Sequence, residues 1–427
     1  MPRKITLVAC GLGPASLTLE AQAAIAEADL VFGAQRLLDT YATSKEAYPY
    51  YKAEDIHRQL SQFSEVNAVG ELGELDEPGA VGELGKAGGP KVQPWPEHIA
   101  ILISGDTGFY SAARQLTQAL AEDDLTVLPG ISSLVGFCAK LKRPWQDVAV
   151  KSLHGRTGSA VDTVRRHASS FFLLGPDKDL VLADLIDKGF ADLTGYLGEN
   201  LGLPDEHLQR GPLRDLQFSS EEALSVLLVD NPAYDSRVRS GIPDGEFIRG
   251  DVPMTKSAVR AWIMANLAIR PEDVCFDIGA GTGSCTVEMA LAAYEGRVYA
   301  IEKDPEGLDL IRQNLRRFQL GNVEIVAGPA PEFLADLPRP DLAFIGGSGG
   351  KMAEIVTALL AKNPQVRLVI TAIALETLAQ TCQVLSDLGL AFELSQLAVS
   401  RGQKAGPYHL LKGENPTFVL CTENCRR

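Results

Sequence analysis

The 427-residue chain is longer than one hydrophobic core usually serves, so two domains are expected. With 45% apolar and 22% charged residues it has the composition of an ordinary folded protein, and a formal net charge of −15 argues against general nucleic-acid binding. No apolar run approaches the roughly 18 residues that span a bilayer, and the apolar strand after Met1–Lys4 is too short for a secretory core, so a cytoplasmic protein without membrane association is expected.

Ile5-Thr-Leu-Val-Ala-Cys10 reads as a buried strand, followed by a Gly-Leu-Gly-Pro turn at Gly11 to Pro14. Thr18 to Ala28 reads as an amphipathic helix capped near Ser16 or Thr18. Strands are expected at Asp29 to Phe32, Ile99 to Ile103 and Leu125 to Leu128, the last two ending in glycine-containing loops. This alternation indicates an α/β domain with a largely parallel sheet.

Ala68-Val-Gly-Glu-Leu-Gly73 recurs as Ala80-Val-Gly-Glu-Leu-Gly85. Two copies are too few for a solenoid, and residues from about 66 to 96 have little to bury, so a flexible insertion without chemistry is expected. Seven cysteines are scattered and odd in number, with no Cys-x-x-Cys pair and no matching histidines; reduced thiols and no metal site are expected.

The polar stretch Asp230 to Gly245, rich in Pro and Gly, follows the apolar strand Leu224 to Val229 and reads as a boundary. The expected division is a domain over 1–232, a linker over 233–245 and a second domain over 246–427. In the second, helices are expected at Ser257 to Leu267 and Pro305 to Phe318. Its strands are expected at Val274 to Ile278, Val298 to Ile301, Val323 to Val326, Leu342 to Ile345 and Arg367 to Ala372.

The most specific local signal is Asp277-Ile-Gly-Ala-Gly-Thr-Gly283, directly after a strand and opening a helix. Glycines there let backbone amides approach a ligand at a helix start. Glu302 ends the next strand, where a carboxylate can accept hydrogen bonds from ribose hydroxyls. A pyrophosphate fingerprint needs a third glycine where Ser284 stands. The acid-led D-x-G-x-G-x-G pattern instead suits S-adenosylmethionine, with its ammonium and sulfonium, over a dinucleotide.

From Gly241 to about Cys421 the chain resembles the decarboxylating domain of the precorrin-6Y C(5,15)-methyltransferase family. The segments that carry this are Ile242-Pro-Asp-Gly-Glu-Phe247, Pro253-Met-Thr-Lys256, the glycine loop and Tyr299-Ala-Ile-Glu302. Gly328-Pro-Ala-Pro-Glu332, Phe344-Ile-Gly-Gly-Ser-Gly-Gly350, Leu375-Glu-Thr377 and Asn415-Pro416 complete it. The N-terminal half is similar to the same family's other domain, a tetrapyrrole methyltransferase with two α/β lobes. Its cues are Gly11-Leu-Gly-Pro14, Ser104-Gly-Asp-Thr-Gly-Phe-Tyr-Ser111, Pro129-Gly-Ile-Ser-Ser133, Ser152-Leu-His-Gly-Arg156 and Gly198-Glu-Asn-Leu-Gly-Leu-Pro-Asp205. The first loop departs from the fuller glycine-rich version at Ala15 and Ser16.

The resemblance implies an N-terminal tetrapyrrole methyltransferase fold followed by a C-terminal Rossmann-like class I methyltransferase domain, with one S-adenosylmethionine per domain. The expected cofactor residues are Gly11, Gly13, Ser104, Gly105, Asp106, Ser132 and Ser133 in the first. In the second they are Thr255, Asp277, Gly279, Ala280, Gly281, Thr282, Gly283, Glu302, Gly328 and Ala330. The implied reaction methylates a corrin precursor of cobalamin biosynthesis at carbon 5 in the N-terminal domain. The C-terminal domain methylates carbon 15 and releases carbon dioxide from the ring C acetate, giving a precorrin-8-type product.

A substrate with several carboxylates suits Arg and Lys forks. His154 and Arg156 are candidates in the first half, and Arg401 and Lys404, in the glycine-rich loop Ser400 to Gly406, in the second. No residue presents itself as a general acid or base. The resemblance also makes self-association through the C-terminal domain an expectation. Two other readings stay open: a methyltransferase for another small molecule or RNA with one inactive domain, and a non-catalytic tetrapyrrole carrier.

Overall fold

The computed structural model describes residues 4–60, 96–121, 123–153 and 159–422. The repeat insertion, but for Pro96, and the His154 and Arg156 candidates lie outside the described residues. The chain forms two compact units. One comprises Met1–Asp147, Leu197–Gln209 and Phe218–Val226; the other comprises Val148–Tyr196, Arg210–Gln217 and Leu227–Arg427.

In the first unit, β1 (Lys4–Ala9), β2 (Leu30–Gly33), β3 (Glu46–Tyr48), β4 (His98–Ile103) and β5 (Asp124–Leu128) form one parallel sheet in the order β3-β2-β4-β1-β5. Side chains alternate across it as a strand requires. Ile5, Leu7, Ile99, Ile101 and Ile103 enter one apolar cluster, and Val8, Cys10, Ala100 and Leu102 the other. Burial on both faces is why these strands read as near-continuous apolar runs. The first helix spans Leu19–Glu27 and starts where expected, with the Thr18 side chain accepting the Ala21 amide.

A second five-stranded sheet has the order β6-β7-β10-β8-β9, from β6 (Ala149–Ser152), β7 (Ser169–Leu173), β8 (Thr194–Glu199), β9 (His207–Pro212) and β10 (Ser225–Asp230).

The second unit is built on a seven-stranded sheet ordered β13-β12-β11-β14-β15-β19-β16. Its strands are β11 (Val274–Ile278), β12 (Arg297–Glu302), β13 (Val323–Ala327), β14 (Leu342–Ile345), β15 (Arg367–Ala372), β16 (Phe392–Leu397) and β19 (Thr417–Thr422). Strands β11 to β15 pair in parallel, and β19 runs antiparallel to β15 and β16. Chain direction through the sheet reverses between β11 and β14, so a crevice opens beyond their carboxyl ends. Cys275, Val298 and Ala300 pack into one cluster and Phe276, Ile278, Tyr299 and Ile301 into the other. Phe276 and Ile278 are essentially inaccessible, each contributing about 1.5–3 kcal/mol by burial.

One expectation is corrected here. Ser400 to Gly406 is not a loop: β17 (Ser400–Ala405) pairs antiparallel with β18 (Tyr408–Gly413) in an exposed hairpin. Gly406, at φ 59°, and Pro407 make the two-residue turn, a place where glycine is needed because the backbone is left-handed.

Candidate active site

In the first unit, three glycine-bearing loops meet beyond the ends of β1, β4 and β5. Gly11 and Gly105 exchange two backbone hydrogen bonds of 3.0 Å. A Cβ on Gly130 would stand 2.5 Å from the Gly105 carbonyl oxygen, so that loop packs backbone against backbone. Asp106 braces the group, Oδ1 accepting the Gly108 amide at 2.8 Å and Oδ2 the Gly130 amide at 3.0 Å. Ser16, where the fuller pattern has glycine, holds the first loop: its Oγ accepts the amides of Leu12 (2.8 Å) and Gly13 (3.1 Å). Ser132 caps the helix Ser133–Lys140 by accepting the Val135 amide. The candidates Gly11, Gly13, Ser104, Gly105, Asp106, Ser132 and Ser133 are thus gathered on converging loops, with Ser104 exposed and Ser132 buried.

In the second unit the crevice is a cavity of about 1000 Å³. Thr255, Gly279, Ala280, Gly281, Thr282, Glu302, Gly328 and Ala330 line it; Gly283 and Asp277 do not. Gly279, Gly281 and Gly283 adopt φ of 72°, 55° and 75°, the left-handed region that only glycine enters freely. A Cβ on Gly279 would meet the Gly347 backbone at 2.8 Å, which locks the loop after β11 onto the Gly346–Gly350 loop after β14. The amides of Gly279 and Ala280 donate to the Ile301 carbonyl, Gly281 to Glu302 Oε2 at 2.7 Å and Gly283 to the Ala280 carbonyl. A pyrophosphate cradle needs such amides free. Here they are engaged inside the protein, which favours a cofactor held by side chains.

Glu302 is nearly buried. Its Oε1 accepts the amides of Lys303 and Asp304, each at 2.8 Å, so the acid shapes the cavity edge as well as facing it. The Thr282 hydroxyl is buried in the cavity wall with no partner among the described residues, an arrangement costing about 1–3 kcal/mol unless a ligand satisfies it. Asp277, expected beside the ligand, sits behind the loop instead, because on β11 its side chain takes the face packed by the helix Ser284–Ala292. It accepts from the Thr286 hydroxyl there, Oδ1 has no partner among the described residues, and burial pushes its pKa up to about 7.

The two basic candidates of the second half diverge. Arg401 Nε donates to Glu414 Oε1 at 2.7 Å, and Glu414 lines the cavity. Lys404, three residues along β17, leaves the opposite face of an exposed hairpin. The sequence reading also missed Arg260, which is fully buried and paired with Glu288 at 2.9 Å. An arginine at a helical core position gives no sign of burial when its acids lie 16 and 28 residues away. Among the described residues no cluster of metal-binding side chains occurs, and no helix is long and apolar enough to cross a membrane.

A parallel sheet with a topological switch, glycine loops whose amides are engaged, and an acid ending the second strand together define an S-adenosylmethionine-dependent methyltransferase. The chain belongs to the tetrapyrrole (corrin/porphyrin) methylases, whose family model matches residues 4–217, and residues 246–423 match the precorrin methyltransferase domain. A probable cobalt-precorrin-6B C(15)-methyltransferase (decarboxylating) of Pyrobaculum calidifontis is 40% identical over 183 residues, 42% of this chain and 94% of that protein. Its namesake from Methanothermobacter thermautotrophicus is 39% identical over 185 residues, 42% of this chain and 95% of that protein. A crystal structure of a precorrin-6Y C5,15-methyltransferase from Geobacter metallireducens is 36% identical, covering 43% of this chain and 95% of that one, with a TM-score of 0.41.

Proposed function

We propose that the chain methylates a precorrin-6-type corrin precursor at two ring carbons and removes carbon dioxide from the ring C acetate, as a step of cobalamin biosynthesis. The observation that carries this is the presence, in one chain, of two family matches, each containing its own glycine loops beyond parallel strands. Residues 1–232 form the module acting at carbon 5, and residues 246–427 the one acting at carbon 15 and decarboxylating. The second assignment is supported by relatives named for carbon 15 and decarboxylation.

One S-adenosylmethionine binds in each module, supplying when bound a methyl group on a positively charged sulfur. In the first, the loops at Gly11, Gly13, Ser104, Gly105, Asp106, Ser132 and Ser133 hold it. In the second, Glu302 receives the ribose hydroxyls, Thr255, Gly279 to Thr282, Gly328 and Ala330 close around it, and the Thr282 hydroxyl gains its missing partner. The residues hold donor and acceptor in line, which by itself lowers the barrier. The electrons of the broken carbon–carboxylate bond pass into the conjugated ring, so no side chain need store them.

Of the substrate candidates, Arg401 reaches the cavity rim through Glu414, and His154 and Arg156 serve the first module. None of the six described cysteines forms a disulfide, which suits a cytoplasmic enzyme. Tyr408 and Leu410, on one face of the hairpin, are 72% and 61% exposed and Leu411, on the other, is 79% exposed, apolar surface suited to self-association. The test is mass spectrometry of products formed from cobalt-free and cobalt-containing precursors with S-adenosylmethionine. A product two methyl groups heavier and one carboxyl lighter supports the reading; unchanged ring in both contradicts it.

A further inference from the structure

Lys256 is the N-cap of the helix Ser257–Leu267, and its own side chain makes no capping hydrogen bond; the Ser257 amide is taken by Asp244 instead. Lysine is a poor choice there: it offers no acceptor to the first amides and adds positive charge to the positive end of the helix. A residue that breaks local rules without structural gain marks a functional position. Lys256 is half-buried and lines the cavity. Among the described residues no carboxylate pairs with it, whereas Lys351, which also lines the cavity, is paired with Glu332.

Both neighbours of Lys256 are tied to buried charge. Arg260 donates from Nη1 to the Thr255 carbonyl and to Asp244 Oδ1 (3.0 Å), and from Nη2 to the Ile242 carbonyl. Its Nε donates to Glu288 Oε1 (2.9 Å), and its guanidinium lies 4.6 Å from the Phe247 ring centre. Asp244 accepts the Ser257 amide at 2.9 Å, and Glu288 accepts those of Gly241 and Ile242 at 2.9 Å each. Removing one partner of so buried a set leaves charges uncompensated, so the segment is held in one position.

We propose that this wall, fixed by Arg260 as a positioning residue, presents Lys256 to a carboxylate in the cavity. The inference rests on the function proposed above. Two bound molecules carry that chemistry: the corrin precursor with its acid side chains, and the amino-acid end of the cofactor. In a chain of net charge −15, an unpaired ammonium in a cavity suits an acidic ligand.

The test uses the full-length protein with Lys256→Met and Lys256→Arg. Calorimetry with S-adenosylhomocysteine reads the cofactor arm; steady-state methylation and carbon dioxide release with varied corrin precursor read the substrate arm. A charge-assisted contact of this kind corresponds to about 10- to 100-fold in affinity. Lys256→Met therefore raises either the precursor KM or the cofactor Kd by that factor, identifying the carboxylate, with Lys256→Arg recovering most of it. Arg260→Lys, keeping the charge but not the fork, lowers the melting temperature and, in the folded fraction, shifts the same constant in the same direction. Both constants staying within twofold of wild type in Lys256→Met overturns the proposal. If the wild-type protein leaves the corrin precursor unchanged, the proposed function fails, while the cofactor arm still tests Lys256.

Discussion

The two sets of glycine loops answer one problem with different materials. In the first unit, Gly11 and Gly105 bond to each other directly and a half-buried carboxylate, Asp106, stitches two neighbouring loops. In the second, Gly279 locks onto Gly347, and the nearly buried Glu302 takes three backbone amides beside a cavity of about 1000 Å³. In both halves the acid that a motif reading assigns to the ligand also holds the loops in shape. Removing either acid therefore costs site geometry as well as ligand contact.

The sharpest break of the comparison is Gly279→Val. Its φ of 72° disfavours any side chain, and a Cβ would collide with the Gly347 backbone. Binding in the second unit is expected to vanish, so calorimetry should find two cofactor sites in the wild type and one in the variant.

Glu302→Ala comes next. It removes three internal hydrogen bonds together with the proposed ribose contacts, so affinity at that site should fall by two orders of magnitude or more, at about 1.5–3 kcal/mol per charged hydrogen bond. Asp106→Ala removes two internal bonds in a more open place, and the carbon 5 methylation should slow by about tenfold. Equal losses in the two variants, measured by site-resolved titration, would erase the contrast between the halves.

Asp277 sharpens the comparison through pH. Its folded pKa of about 7 lies above the unfolded value of about 3.9. The folded state therefore holds a proton that the unfolded state has lost, and the stability this brings disappears as pH rises through about 7. Asp277→Asn should unfold at the same urea concentration as wild type near pH 4. By pH 8 it should exceed wild type by on the order of 4 kcal/mol. An identical pH slope in both proteins would show that Asp277 does not titrate in this range.

The smallest effect belongs to the surface of the second unit. Arg316 pairs with Asp187 at 2.7 Å, both substantially exposed, so Arg316→Ala should change stability by less than about 1 kcal/mol. Nearby, Asp162 is buried and accepts the Gly321 amide at 3.1 Å. A fragment starting near Ser240 would lack Asp162 and should melt below the intact chain. A fragment as stable as the whole would show that this contact contributes nothing.

Most of the sheets that carry the loops were legible because their strands are apolar runs ended by glycine. Ser257–Leu267, Val274–Ile278, Leu342–Ile345 and Arg367–Ala372 stand where the pattern puts them. The strands β6 to β9 were not legible: His207–Pro212 is largely exposed and polar, and Thr194–Glu199 holds two glycines, so neither shows clean alternation. Ser400 to Gly406 has the composition of a loop for the same reason, although Gly-Pro between two six-residue runs is a hairpin signal. The glycine loop between Val274–Ile278 and the helix Ser284–Ala292 was legible from its spacing. The position of Asp277 behind its loop was not, because spacing fixes where a residue sits along a strand and not which packed face receives its side chain.

The central claim is that two separate cofactor sites work on one ring and that decarboxylation belongs to the second. The most direct measurement is the mass of the product made by Glu302→Ala from a precorrin-6-type substrate with limiting S-adenosylmethionine. A product one methyl group heavier than the substrate, with its carboxyl groups intact, is the result expected. Carbon dioxide released at the wild-type rate would contradict it.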